Sequence, residues 1–291
     1  MRGSADRQRS TRNSRLTTHD SPIAVIIGAG SGIGRGIALA LVGRRAAALE
    51  EVRVRCAALG VRAVALPTDI ADMAAREALP GRVRAALGPP GLLVHAAGVL
   101  AGGELGDLAT GAIERAIATN LTAPLALTRA FLPDLKATRG GIIVIASLLA
   151  EVPFPAASVY SATKGGLVAG AAALRYEARA WGGRVMVAYP PSTATAMTRD
   201  MARAAGFRRY PRADSDVVGE RIVAAFCAGR REWRGGMGDR ALTLAYRLAP
   251  SLIGRALRAQ RARVRRMMLA PARAATRDAE ATTTTGTGND R

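Results

Sequence analysis

Tyr160 and Lys164 stand four residues apart, and Ser147 lies thirteen residues before the tyrosine. Four residues is about one helical turn, so a helix here sets the phenol and the ammonium on one face. An ammonium beside a phenol favours the phenolate, so Lys164 is expected to bring Tyr160 below its reference pKa of about 10. A tyrosine tuned in this way can give or take a proton at a carbonyl or an alcohol near neutral pH. Taken alone, Tyr-x-x-x-Lys is equally a solvated pair on a helix, and it needs a site around it to mean chemistry.

The residues near the N-terminus supply one. Residues 23 to 27 read Ile-Ala-Val-Ile-Ile, a short β-branched run suited to a strand buried on both faces. The run continues into Gly28, Ala29, Gly30, Ser31, Gly32, Ile33 and Gly34, and then into helical spacing at Ile37, Leu39, Ala40 and Leu41. Glycines permit a tight turn and close backbone approach to a ligand. A helix N-terminus beyond them offers unpaired N–H groups and the positive end of a dipole, which suits a pyrophosphate.

These pieces together resemble the short-chain dehydrogenase/reductase family, over roughly residues 22 to 229. The family's Gly-x-x-x-Gly-x-Gly is met by Gly28, Gly32 and Gly34. Its aspartate after the third strand is matched by Asp69, followed by Ile70. Its Asn-Asn-Ala-Gly is represented by His95, Ala96, Ala97 and Gly98, and its helical asparagine falls at Asn120. Its serine, tyrosine and lysine are Ser147, Tyr160 and Lys164, and its Pro-Gly-x-x-x-Thr is met by Pro190, Pro191 and Thr195.

The resemblance implies an α/β fold: a doubly wound, Rossmann-like parallel sheet in three α/β/α layers. It implies an NAD(P)-dependent oxidoreductase, with NADP the expected cofactor and NAD the alternative, acting on a small carbonyl or alcohol as a homo-oligomer. Tyr160 would move the proton. Lys164 would tune Tyr160 and hold the nicotinamide ribose. Ser147 would hold the substrate oxygen, and Asn120 a water. The cofactor would lie along Gly28, Ser31, Gly32, Ile33, Gly34, Arg44, Arg45, Asp69, Ile70, Ala97, Gly98, Tyr160, Lys164, Pro190, Thr193 and Thr195. A fold of this kind serving only as a binding or scaffold protein is the alternative.

The chain departs from the family in one large respect. Only nine residues separate Gly34 from Arg44 and Arg45, the pair resembling the basic end of the second strand. A three-turn helix and a returning strand need more chain than that. The second strand is therefore expected to be short, displaced or missing, with residues 40 to 43 as a remnant strand in one reading and part of a helix over 32–42 in the other. Smaller departures are His95, read as a structural turn residue, and Pro191, which stiffens the loop under the nicotinamide. The Pro190-Pro191 pair resembles that of family members acting on long-chain lipid ketones.

Strands are expected near 23–27, 61–66, 91–95, 141–146 and 184–189. Helices are expected near 32–42, 45–59, 71–87, 111–136, 158–181 and 214–229. A disordered arm over 1–21 precedes a dinucleotide-binding and catalytic domain over 22–238. Basic amphipathic helices over 239–280 and a disordered tail over 281–291 follow. In the basic segment, apolar positions such as Leu244, Leu248 and Leu252 alternate with Arg247, Arg255 and Arg258, and Pro250 divides it. That pattern fits either a membrane-surface contact or a cover over the core.

The chain has 291 residues and a formal net charge of +20, carried almost wholly by arginine because Lys136 and Lys164 are the only lysines. Such a field attracts phosphate-bearing cofactors or anionic membranes. Aromatics make up 4% of residues and do not interleave a basic stretch, so no nucleic-acid partner is expected. Cys56 and Cys227 form no metal or redox spacing and read as buried or partly buried thiols. No apolar run reaches the roughly 20 residues of a membrane span. The first twenty residues lack a signal-peptide core, so a cytoplasmic location is expected, with a peripheral position at a membrane as the alternative.

Overall fold

The computed structural model describes residues 23–29, 40–204 and 213–270, without the side chains of 196, 199 and 202. The expected arm and tail, the helix residues 32–39, and Ser31, Gly32, Ile33 and Gly34 lie outside the described residues.

Chain order runs β1 (Ile23–Ile27), β2 (Ala40–Gly43), α1 (Ala46–Ala58), β3 (Val64–Pro67), α2 (Met73–Leu87) and β4 (Pro90–His95). It continues with α3 (Thr110–Ile117), α4 (Ala123–Ala137), β5 (Gly141–Ile145), α5 (Ser158–Arg179), β6 (Arg184–Tyr189), α6 (Ala196–Ala204), α7 (Ser215–Cys227) and β7 (Glu232–Arg234). Three consecutive helices complete it: α8 (Met237–Leu248), α9 (Pro250–Ala259) and α10 over residues 261–270.

The strands form one parallel sheet in the order β3-β2-β1-β4-β5-β6-β7. Alternating side chains send Val25 and Ile27 into one apolar cluster, with Leu79, Leu127, Phe131 and Leu167 of the helices on that face. Ala24 and Ile26 point the other way, into a cluster with Leu49, Val52, Ile222 and Phe226. The result is the expected three-layer doubly wound sheet. Its direction of winding reverses between β1 and β4, the place where such folds open a ligand crevice at the strands' C-terminal ends.

β2 is a four-residue strand and it sits in place. Ala40, Leu41 and Val42 pair with Val25, Ile26 and Ile27 on one side, and all four residues pair with β3 on the other. The remnant-strand reading therefore holds, and the helix expected over 32–42 is corrected at 40–42. β3 is fully paired, so the short strand leaves only Ile23 and Ala24 of β1 without partners on that side. A parallel crossover needs about a dozen residues, and residues 28 to 39 are near that minimum.

Other expectations shift by small amounts. The third strand begins at Val64 rather than 61, because residues 61–63 pair with nothing along the edge. The single helix over 111–136 is interrupted by a π-helical turn at Ala118–Thr122. The segment after Thr195 is helical from Ala196 to Ala204. His95 is the last residue of β4, not a turn residue. Cys56 is buried as expected, but Cys227 at the end of α7 is exposed. Among the described residues no helix is long and apolar enough to cross a membrane.

Candidate active site

The sheet delivers the chemically interesting side chains from the C-terminal ends of β4 and β5. Ser147 follows β5 and caps a single turn at Leu148–Ala150, its hydroxyl accepting the Leu149 N–H at 3.2 Å. Tyr160 and Lys164 rise from the first turns of α5, as their spacing predicts. Lys164 is buried at 3% exposure, and its ammonium donates to the Ile145 carbonyl at 2.9 Å. Burial pushes Lys164 down to about 8, so the ammonium still predominates at neutral pH.

The tuning of Tyr160 differs from the expectation. Burial pushes the half-buried phenol up, and the interaction with the Ser147 hydroxyl only partly opposes it. Lys164 Nζ lies 6.0 Å from the Tyr160 ring centroid and is turned to the Ile145 carbonyl. Desolvation thus outweighs the Ser147 interaction at this phenol.

Asn120 is fully buried in the π-helical turn, a widening that often marks functional sites. Its carboxamide straps the chain after β4: Oδ1 accepts the Val99 N–H and Nδ2 donates to the Val99 carbonyl, both at 2.8 Å. The second Nδ2 hydrogen goes to Thr163 Oγ1 at 3.1 Å, and Thr163 in turn donates to the Tyr160 carbonyl at 2.9 Å. Both N–H donors are taken, so a water at this side chain could only donate to Oδ1. The strap holds Gly98 beside the lysine, where a β-carbon would stand 3.4 Å from Nζ.

A cleft of about 160 Å³ opens at the reversal of winding, lined by Gly28, Val42, Gly43, Arg44, Arg45, Asp69, Ile70, Ala97, Gly98 and neighbours. Gly28 has φ +95°, and a β-carbon on it would lie 2.5 Å from the Ala97 nitrogen. Only glycine lets β1 and the turn after β4 approach so closely. Asp69 accepts from Ala71 N at 3.0 Å and from Arg115 at 2.7 Å. Burial raises its carboxyl, but the Ala71 N–H, Arg115 and Arg44 together hold it below the usual range. Pro190, Thr193 and Thr195 do not line this cleft. Thr193 is buried and donates to the Pro191 carbonyl at 2.7 Å, and Thr195 engages Thr198.

His95 bridges to Thr128 through Nε2 at 2.9 Å, is 2% exposed, and is pushed by burial to about 3. It is a neutral core residue, in keeping with its structural reading.

Three contributors escaped the sequence reading. Arg115 needs the fold to reach Asp69, although its place five residues before Asn120 marks it as site-adjacent. Thr163 adjoins Lys164 in sequence and could have been flagged by that alone. Glu151, just beyond the Ser147 turn, is gripped by Arg234, which lies 3.9 Å over the Tyr189 ring, and by Arg247 at 2.8 Å. That ion-pair cluster fastens the Ser147 turn to β7 and α8.

The reversal-point crevice and its glycine cradle define a dinucleotide-binding protein of the doubly wound class. The family described as short chain dehydrogenase matches residues 22–205. The chain belongs to the short-chain dehydrogenase family. It is 33% identical over 201 residues to glycine betaine reductase ATRR of Emericella nidulans, covering 65% of this chain and 16% of that one. It is 32% identical over 196 residues to ketoacyl reductase HetN of Nostoc sp., covering 64% of this chain and 68% of that one. The chain thus spans only a small part of the fungal relative. Among solved structures, a metagenomic short-chain oxidoreductase in complex with NADP is 29% identical with TM-score 0.62, covering 74% of this chain and 98% of the other. A short chain dehydrogenase from Burkholderia cenocepacia in complex with NADP is 25% identical with TM-score 0.65, covering 75% and 98%.

Proposed function

We propose that the protein is a reductase that exchanges a hydride between NADP(H) and a carbonyl or secondary alcohol. The observation that carries this reading is the placement of Tyr160, Ser147 and Lys164 on one wall, with Gly98 joining that wall to the cleft at Arg44 and Arg45. The residues present fit a dinucleotide: Gly28 leaves no β-carbon where the backbone must be bare, and Arg44 and Arg45 are among the residues that line the cleft. The nicotinamide, when bound, supplies the hydride. Ser147 orients the substrate oxygen and Tyr160 gives it a proton. Lys164 keeps a positive charge near that oxygen, and the Asn120 strap fixes the Gly98 backbone beside it. Ile70, Ala97 and Asp69 bound the adenosine end. On this reading Pro190, Thr193 and Thr195 form the floor under the nicotinamide.

Arg44 and Arg45 favour a 2′-phosphate through charge-assisted hydrogen bonds. The paired change of Arg44 and Arg45 to alanine is expected to raise the NADPH dissociation constant by about tenfold or more, the worth of one or two such bonds. NADH binding should move by less than about twofold. A fluorescence titration reads both, and equal small changes for the two cofactors would remove the preference.

A second partner is supported by α8 and α9. Met237 is 86% exposed, Leu244 57%, Leu248 77% and Leu252 64%, an apolar stripe with Arg255 and Arg258 exposed beside its end. With the strongly positive chain, this stripe suits an anionic lipid surface and a lipid-like ketone drawn from it. Flotation with phosphatidylglycerol-rich vesicles is expected to carry the protein, and pure phosphatidylcholine vesicles are not. Leu244→Glu with Leu248→Glu should weaken that binding about tenfold. Unchanged flotation would place the lipid contact elsewhere.

A further inference from the structure

We infer that Arg234 is a positioning residue for the reduction: through Glu151 it sets where the Ser147 hydroxyl stands against the loop at Pro190 and Pro191. The inference rests on the reductase reading above and adds the group that registers the substrate oxygen against the nicotinamide floor.

Ser147 and Glu151 are the two ends of one tight turn. The Ala150 N–H donates to the Ser147 carbonyl at 3.0 Å, and the Glu151 and Val152 N–H groups donate to the Leu148 carbonyl at 3.0 and 2.9 Å. A turn so closely bonded moves as a unit, so a shift at Glu151 is felt at Ser147. The Glu151 side chain is 12% exposed, and its carboxylate depends on protein partners in place of water. Arg234 meets it as a fork, with Nη1 on one oxygen and Nη2 donating to the other at 2.9 Å. Burial raises the Glu151 carboxyl, but Arg234 and Arg247 hold it below the usual range, so it is ionised at neutral pH. Arg247 reaches it at 2.8 Å by one contact from an exposed position, which is worth less than the half-buried fork.

Arg234 is itself held in place. Its guanidinium lies 3.9 Å over the Tyr189 ring, and its backbone pairs with Tyr189 in the sheet. Tyr189 ends β6, and Pro190 and Pro191 follow it directly. The Gly235 N–H donates to the Tyr189 carbonyl at 3.1 Å, and a β-carbon on Gly235 would lie 2.5 Å from Pro191 Cδ. One side chain therefore touches both the turn that carries Ser147 and the strand end that carries the proline loop. The separation of those two segments sets how far the substrate oxygen stands from the nicotinamide floor.

Without Arg234 the Glu151 carboxylate keeps one exposed partner in a nearly closed place. The turn then opens to hydrate it, because a buried charge stripped of its partner costs far more than a pair replaced on both sides. A displacement of about 1 Å at a reacting group can cost about 10²-fold in rate.

The test assays variants for NADPH-dependent reduction of butanone, cyclohexanone and methyl decyl ketone, using whichever the wild type turns over fastest. Arg234→Met is expected to lower kcat by about 10²-fold while the NADPH dissociation constant stays within about twofold. Adding Glu151→Met to Arg234→Met removes the stranded charge and should bring kcat back to within about threefold of wild type. Arg234→Lys keeps a cation for Glu151 but not the fork, so it should fold and still lose about tenfold in kcat. In a Ser147→Ala background, Arg234→Met and Arg234→Lys should each cost less than about twofold, because effects that pass through one residue do not add. A scaffold role predicts the same factor in both backgrounds. That result, or wild-type kcat in the folded Arg234 variants, overturns the inference and leaves the reductase reading standing. A wild type that binds NADPH and reduces none of the three ketones sinks the reductase reading, and the inference with it.

Discussion

Tyr160→Phe is expected to lower kcat by ~10²–10⁴ while the NADPH dissociation constant stays within about twofold. The phenol is the one group on α5 placed to share a proton with an oxygen held by Ser147. Phenylalanine keeps the ring, its packing and the Thr163 bond to the residue-160 carbonyl, so the scaffold should survive. The loss should fall on kcat and kcat/KM together, the mark of an interaction made in the transition state. Steady-state kinetics on any accepted ketone, paired with a cofactor titration, settles the point: wild-type turnover in the variant ends the proposed role of Tyr160.

Gly28→Val should be nearly as damaging by another route. Its φ of +95° is strained for a residue with a β-carbon, at about 1–3 kcal/mol. The added carbon would also lie 2.5 Å from a backbone nitrogen that cannot move without shifting β4. Overpacking of that kind costs about 1–3 kcal/mol more. Together they predict a fall in Tm of roughly 5–15 °C for a domain of this size. The cofactor dissociation constant should rise at least about tenfold, since the variant fills the crevice itself. A thermal melt and an NADPH titration measure both. An unchanged melt with normal affinity would show that β1 and the turn after β4 can part freely.

The sequence made the four central strands legible within a residue or so, because buried parallel strands are nearly continuous β-branched runs, as in Ile142 to Ile145. β7 escaped notice: Glu232-Trp233-Arg234 is three residues long and is a strand only because it pairs with Val187 to Tyr189. β2 was ambiguous for a related reason. Ala40 to Gly43 carries one β-branched residue, and its fate depended on whether β1 and β3 would accept it.

At the site, spacing placed Tyr160 and Lys164 on one helix face, but not the direction of either side chain. Lys164 turns to Ile145, and burial dominates Tyr160, which no local pattern encodes. The Asp69–Arg115 pair and the Glu151 cluster join residues far apart in the chain and became visible only in three dimensions.

The backbone of α10 rests on Gly102, where a β-carbon would lie 1.9 Å from the Met268 carbonyl oxygen, and this late contact bears on how the molecule is made. A chain emerges from the ribosome from its N-terminus at about 5–20 residues per second, and earlier elements can pack while later ones are still awaited. β1 to β6 and their helices are all synthesised before residues 261–270 exist to cover Leu100, Leu149 and Phe154. For that interval these side chains face water on a nearly finished sheet, an exposed apolar surface of the kind chaperones bind. The loop at Gly102 closes across most of the chain, which makes docking of α10 a slow, late step. A nascent chain stalled before residue 261 should therefore keep most of its secondary structure while remaining a better chaperone client than the finished protein.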